Sequence, residues 1–206
     1  NGEILDETQA SEDDGAGDNV YYGSGTFGAG NTSGHEYNTA LGHNALYNLT
    51  SGDRNIAVGN KALYNNTTGY KNVSVGNSAL LTNTTGFENV AVGYRSLFSN
   101  TTASYNTAMG YMSLFSNTTG AGSVAIGHEA LYTATTEGSL TAIGYQAAKA
   151  NTTGTGTVAV GYQALTANTI GEYNTAMGYQ ALTVNTTGGW NFAAGYQSLF
   201  SNTTGS

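Results

Sequence analysis

Apolar, small and polar residues return along this chain with a period of 17, and the period never slips. Its fixed mark is a glycine, at Gly42, Gly59, Gly76, Gly93, Gly110, Gly127, Gly144, Gly161, Gly178 and Gly195. Counting each coil from the residue four before that glycine, ten coils open at residues 38, 55, 72, 89, 106, 123, 140, 157, 174 and 191. Their consensus is Asn-(Thr/Val)-Ala-(Val/Met/Ile)-Gly-Tyr-x-Ala-Leu-aromatic-x-Asn-Thr-Thr-Gly-x-x. A degenerate 19-residue version, opening at Asn19 with Val20 and Gly23 in matching places, precedes them. The most divergent coil is 140–156, where Leu140 replaces the opening Asn, and Ala148 and Lys149 replace the Leu and the aromatic. Self-similarity at such a period marks a solenoid.

The local pattern within a coil predicts its elements. Position 2 is β-branched in nine of the ten coils, and position 4 is aliphatic or Met in nine. Alternation with period 2 puts both columns on one face of a short strand. With the Leu of position 9, they are the large groups expected to fill each coil. The Gly of position 5 suits a bend or a close approach of backbone. Asn-Thr-Thr-Gly at positions 12 to 15 is turn chemistry, since Asn and Gly tolerate the left-handed region. Each coil therefore reads as strand, turn, strand, turn, and the Gly, Asn, Thr and Ser content disfavours helix.

Coils that climb ~4.8 Å each make a rod roughly 50 Å long. The expected fold is all-β: a parallel β-solenoid of ten 17-residue coils over 38–206, a degenerate capping coil at 19–37, and an acidic, flexible segment at 1–18. Uniform columns agree with stacking. Position 13 is Thr in all ten coils, position 9 is Leu in nine, and positions 3 and 8 are only Ala or Ser. The apolar groups of one coil fall short of the entropy cost of ordering it. Position 10 adds large groups (Tyr47, Tyr64, Leu81, Phe98, Phe115, Tyr132, Phe200) beside the Leu column, and in an extended segment one of the two columns lies outside. The Ala/Ser columns offer a surface that another backbone can approach closely. Lateral packing between copies follows as the expectation, with a trimer favoured.

Composition narrows the function. Only 9% of residues are charged, and there is no Pro or Cys. Seven of the thirteen acids (Glu3, Asp6, Glu7, Glu12, Asp13, Asp14, Asp18) lie in the first eighteen residues, which leaves six acids against five bases elsewhere. A nearly neutral body lacks the electrostatic footprint of a nucleic-acid or anionic-membrane binder. No apolar run approaches the ~18 residues that span a bilayer. A chain that opens at Asn1 reads as a mature chain or a fragment. The acidic start lacks the alternating ligands of an EF-hand and reads as solvated; a minority reading docks its Ile4-Leu5 pair on a neighbour as a donated strand.

Candidate chemistry is sparse. Gly23-Ser-Gly25-Thr-Phe-Gly28 matches a dinucleotide-binding string but is followed by Ala29-Gly30-Asn31-Thr32-Ser33-Gly34, which is no helix. His43 and His128 share position 6 five coils apart, roughly 24 Å at the rise per coil, too far for one metal. No enzyme, cofactor or metal site is expected. The Asn of position 12, followed by Thr, gives candidate glycosylation sites at Asn66, Asn83, Asn100, Asn117, Asn151, Asn185 and Asn202; Asn31, Asn48, Asn65 and Asn72 also match. The Tyr of position 6 (Tyr94, Tyr111, Tyr145, Tyr162, Tyr179, Tyr196) forms a candidate surface for lateral contact or for stacking of sugars.

The runs Asn-Val-Ala-Val-Gly-Tyr-Arg-Ser-Leu at 89–97, Asn-Thr-Ala-Met-Gly-Tyr-Gln-Ala-Leu at 174–182 and Ser-Val-Ala-Ile-Gly-His-Glu-Ala-Leu at 123–131 carry a resemblance. They resemble the head repeats of YadA-like trimeric autotransporter adhesins. The 17-residue form ending in Asn-Thr-Thr-Gly is similar to tandem repeats of bacterial and phage tail-fibre-like proteins. The resemblance covers 38–206 and implies a left-handed parallel β-roll, trimeric, displayed at a cell surface or secreted. The expected function is an extracellular structural protein, the building block of a surface fibre or self-assembling filament, whose partner is itself. The array stops at Ser201-Asn-Thr-Thr-Gly-Ser206, and an uncapped end invites end-to-end addition. The alternative is an adhesin head or tail-fibre shaft that binds a host surface glycan or protein. Ice binding through the Thr column is a minor third reading, opposed by adjacent Thr residues pointing to opposite faces of a strand.

Overall fold

The computed structural model describes residues 19–28 and 34–205. Eleven three-residue strands lie within them: β1 Val20–Tyr22, β2 Thr39–Leu41, β3 Ile56–Val58, β4 Val73–Val75, β5 Val90–Val92, β6 Thr107–Met109, β7 Val124–Ile126, β8 Thr141–Ile143, β9 Val158–Val160, β10 Thr175–Met177 and β11 Phe192–Ala194. They form one sheet in sequence order, with parallel neighbours throughout. Thr39 pairs with Ile56, Ile56 with Val73 and Thr175 with Phe192, one coil per strand. The degenerate coil joins in the same way, with Val20 opposite Thr39. The described residues contain no helix. The chain is a parallel β-solenoid.

Two local expectations are corrected. The second strand of each coil does not form, because the backbone after the glycine keeps returning to the left-handed region. Gly93, Arg95 and Leu97 have φ of 130°, 52° and 52°, and the same alternation recurs at positions 5, 7 and 9 of the other coils. Position 17 is left-handed as well, as at Arg54 (φ 57°) and Lys71 (φ 53°), whereas the Asn and Gly of positions 12 and 15 are not. A side chain in that conformation costs roughly 1–2 kcal/mol. The recovered bonds are axial: Leu97 N–H donates to Ser113 O at 3.0 Å, Arg95 N–H to Asn77 O at 3.0 Å, and Thr101 N–H to Thr118 O at 3.1 Å. Each tight turn thus aims its amides along the rod, and the flank without a strand is hydrogen-bonded too.

The third correction concerns the core. Positions 2 and 4 point outward, and the Ala between them points in. Ala57 is fully buried while Ile56 is 41% exposed, and Ala176 is fully buried beside Met177 at 46%. The Ala/Ser columns of positions 3 and 8 therefore receive no second chain; with Leu46, Leu63, Leu80, Leu97, Leu114, Leu131, Leu165 and Leu182 they are the core. The lumen enclosed by 17 residues is narrow, and interiors pack to crystal density. A methyl group satisfies the inward parity of the strand, and the larger groups take the outward one. Gly42 shows how close successive coils come, since a Cβ there would lie 2.6 Å from the Gly59 carbonyl oxygen.

Candidate functional site

Much of the interior is polar, with 22 buried polar residues beside 30 buried hydrophobic ones among the described residues. The Asn of position 1 forms one axial spine: Asn55 Oδ1 accepts from Asn72 N–H at 3.0 Å and Nδ2 at 3.2 Å, and Asn72 Oδ1 accepts from Asn89 in the same way. The Asn of position 12 forms a second, with Asn83 Nδ2 donating to Asn66 Oδ1 at 2.7 Å and Asn100 Nδ2 to Asn83 Oδ1 at 2.8 Å. The spines meet at the carbonyl of position 15, as where Gly86 O accepts from both Asn72 and Asn83 Nδ2, each at 2.9 Å. Gly is preferred there because its Cβ would collide with the amide; at Gly120 the clash would be 2.6 Å from Asn117 Oδ1. Buried amides are tolerated when satisfied, and these satisfy one another from coil to coil.

This placement overturns the glycosylation sites. Asn66, Asn83, Asn100, Asn117, Asn151 and Asn185 are buried, and Asn202 is half-buried at the last coil. The Nδ2 that a glycan would occupy donates inside the coil in every one. Asn-Thr-Thr-Gly serves as an internal amide rung, so its Asn does not lie on an exposed turn. Asn72 is buried too, Asn48 and Asn65 bond to each other, and Asn31 lies outside the described residues.

Both spines are interrupted within one stretch, 123–157. Ser123, Leu140 and Thr157 replace the Asn of position 1, and Ala134 replaces that of position 12. Facing Ala134, the buried Asn117 Oδ1 has no hydrogen-bond partner, and Asn151 Nδ2 donates only to Gly154 O. In coil 140–156 a buried Leu140 accompanies a buried Ala148, so the same coil gains volume at position 1 and loses it at position 9.

The outer surface has three long features. The first is the outward face of the sheet, two columns at positions 2 and 4 of eleven rungs, made of Val, Ile, Leu, Met and Thr except for Tyr22 in the first rung and Phe192 and Ala194 in the last. The second is the Tyr column. Tyr94, Tyr111, Tyr145, Tyr162, Tyr179 and Tyr196 are 39–73% exposed. With His128 between Tyr111 and Tyr145 they stack continuously, centroids 4.8–5.5 Å apart and planes within 7–18° of parallel. Ring faces are thus spent on one another and the solvent meets ring edges. Stacking of sugars on tyrosine faces, expected of this column, has a free face only at the Tyr196 end, because the Arg95 guanidinium lies over the Tyr94 ring, 5.1 Å from its centroid.

Beside the Tyr column runs a ladder the sequence reading missed. Gln163 Nε2 donates to Gln146 Oε1 and Gln180 to Gln163, both at 3.1 Å, and Gln197 donates to Gln180 at 3.0 Å. Its signal in the sequence was the repeated Tyr-Gln pair at 145, 162, 179 and 196. It begins at Glu129, whose carboxylate takes Lys149 Nζ at 2.7 Å and Gln146 Nε2 at 2.9 Å. The Lys149 hydrogen bond first, then that of Gln146, holds this carboxyl below its ordinary value.

The third feature is the Thr edge. The hydroxyls of Thr67, Thr84 and Thr101 donate to the backbone carbonyl of the Thr one coil on, at 3.0–3.1 Å. Thr68, Thr85 and Thr102 are exposed. Position 13 therefore ties coils together while half-buried along most of the rod, and position 14 is the more exposed of the two columns.

The remaining candidates stay apart. His43 bonds Asn60 on its own column, and His128 belongs to the Tyr stack. Among the described residues no group of three or more His, Cys, Asp or Glu is placed to hold a metal. Residues 24–28 of the Gly-rich string are turns, and the acidic segment 1–18 lies outside the described residues. No described helix is long and apolar enough to cross a membrane. No protein-family model, curated protein or solved structure matches the chain.

Proposed function

We propose that this chain is a structural rod, the building block of an extracellular fibre, and that it assembles by packing the outer face of its sheet against the same face of further copies. The observation that carries the reading is the apolar face itself. It runs over ten rung steps of ~4.8 Å, is about 10 Å wide, and offers roughly 500 Å² per chain. Two such faces together bury about 1,000 Å², the lower bound for a specific interface, and such a contiguous patch is as large as monomers usually expose. A second copy suits it because only another rod repeats its side chains at the same axial spacing. Three rods about a common axis is the number that the resemblance to adhesin heads implies. The hydrogen-bonded interior also suits a load-carrying role.

Light scattering at micromolar concentration tests this. The wild-type chain is expected to run as an oligomer. Val92→Asp with Ile126→Asp, both outward-facing, is expected to run as a monomer with unchanged circular dichroism. A monomeric wild type rejects the proposal. An adhesive shaft is the second reading, supported by the exposed edge of the Tyr column, and a glycan array without hits counts against it.

A further inference from the structure

The Tyr column has a chemistry that a purely structural stack does not need. Phenylalanine stacks as well here: Phe98 and Phe115, at position 10, lie 5.1 Å apart and within 13° of parallel. Position 6 nevertheless carries phenols, and among the described residues none of their hydroxyls is engaged in a hydrogen bond within the chain. Ring faces are covered by the coils above and below, so what remains open is the edge that bears the hydroxyl and the carbons ortho to it. Those are the atoms at which a one-electron-oxidised phenol couples. The nearly parallel phenols of Tyr94 and Tyr111, and those of Tyr145, Tyr162, Tyr179 and Tyr196 beyond His128, also let an electron hole pass from ring to ring within each run.

We infer that the column Tyr94, Tyr111, Tyr145, Tyr162, Tyr179 and Tyr196 is an oxidative cross-linking site, joining rods covalently through dityrosine. The co-reactant is hydrogen peroxide, acting through a haem peroxidase. Each of two phenols gives up one electron and its hydroxyl proton. The two phenoxyl radicals join by a bond between ortho carbons, and each ortho proton then moves to the oxygen of its own ring. The peroxide O–O bond breaks as it takes the two electrons and two protons, giving two waters. Coupling is directed between rods. Two rings of one column are held face to face, and their edges meet only if the stack is broken, whereas the edges of two neighbouring columns meet directly. The column stands two residues beyond position 4, so it flanks the apolar face. The inference rests on the side-by-side reading for bringing columns together.

The test treats the purified chain with peroxide and horseradish peroxidase, then reads denaturing gels, dityrosine fluorescence and cross-linked peptides by mass spectrometry. Covalent oligomers linked at position-6 tyrosines are expected. Replacing all six with Phe, which keeps the stack, is expected to abolish them. Tyr37→Phe, Tyr105→Phe and Tyr173→Phe together, at other exposed rings, are expected to leave the yield intact. Undiminished yield in the six-fold variant, or links mapped to other tyrosines, overturns the inference. Light scattering of the unoxidised protein separates the two proposals. A monomer that still couples through the column refutes side-by-side packing alone, and an oligomer that does not couple there refutes the cross-linking alone.

Discussion

Asn100→Ala removes one rung of the second amide spine, and the structure sets its cost. Asn100 Nδ2 donates to Asn83 Oδ1 at 2.8 Å and to Ala103 O at 3.0 Å, and its Oδ1 accepts from Asn117 Nδ2 at 3.1 Å. Ala103 O keeps a partner, because Asn89 Nδ2 also donates to it at 2.9 Å. Two groups are orphaned, Asn83 Oδ1 and an N–H of Asn117, both in buried side chains. At ~1–3 kcal/mol for each buried group left unsatisfied, the loss is about 2–6 kcal/mol. The chain carries the reverse experiment at Ala134, where Asn117 Oδ1 already lacks a partner. Ala134→Asn supplies one and offers Asn151 a second acceptor, so it is expected to stabilise by about 1–2 kcal/mol. Urea unfolding followed by circular dichroism reads both, with an unchanged denaturant slope showing that the folded state is the one altered. A loss under about 0.5 kcal/mol for Asn100→Ala, well below the usual cost of an orphaned group, would refute the claim that the amides are dry and paired.

The compensating pair in coil 140–156 makes a second prediction. Ala148→Leu alone overpacks its coil by about 1–3 kcal/mol, and Leu140→Asn alone leaves a void costing ~2 kcal/mol or more. The double variant restores the consensus and is expected to cost less than the sum by ~0.5–3 kcal/mol, as a double-mutant cycle in urea measures. Glu129 gives the pH dependence. Its folded carboxyl ionises below the ordinary 4.5, so its contribution to stability is present above about pH 4.5 and is lost as pH falls through the lowered folded value. Lys149→Met removes the leading cause, and melting temperatures followed from neutral to acid pH are expected to fall less steeply for that variant.

The period, the place of the strand and the bend at position 5 were all legible in the sequence, because each depends on one residue type recurring at one spacing. The sign of the strand was not. Alternation says that positions 2 and 4 oppose position 3, but not which side is the core. Reading large groups as buried chose wrongly, since the lumen admits Ala91 and excludes Val90 and Val92. A subtler signal was available: position 3 varies only between Ala and Ser, while position 2 runs from Thr to Phe. Tight space suppresses variation, and open surface permits it. The buried Asn spines were masked in the same way, because Asn-Thr-Thr-Gly has the composition of an exposed turn. The second strand failed for a different reason: Leu at φ near 50° defies the propensity of the residue, and only burial with an axial hydrogen bond offsets that strain.

The simultaneous interruption of both amide spines between Ser123 and Thr157 has a mechanical consequence. Along a stack in which every coil leans only on its neighbours, load is shared in series and failure begins at the least cross-braced storey. Pulled from its ends, this rod gives way first near Ala134 and Leu140, and the better-braced lengths on either side come apart as two separate events in a force–extension trace.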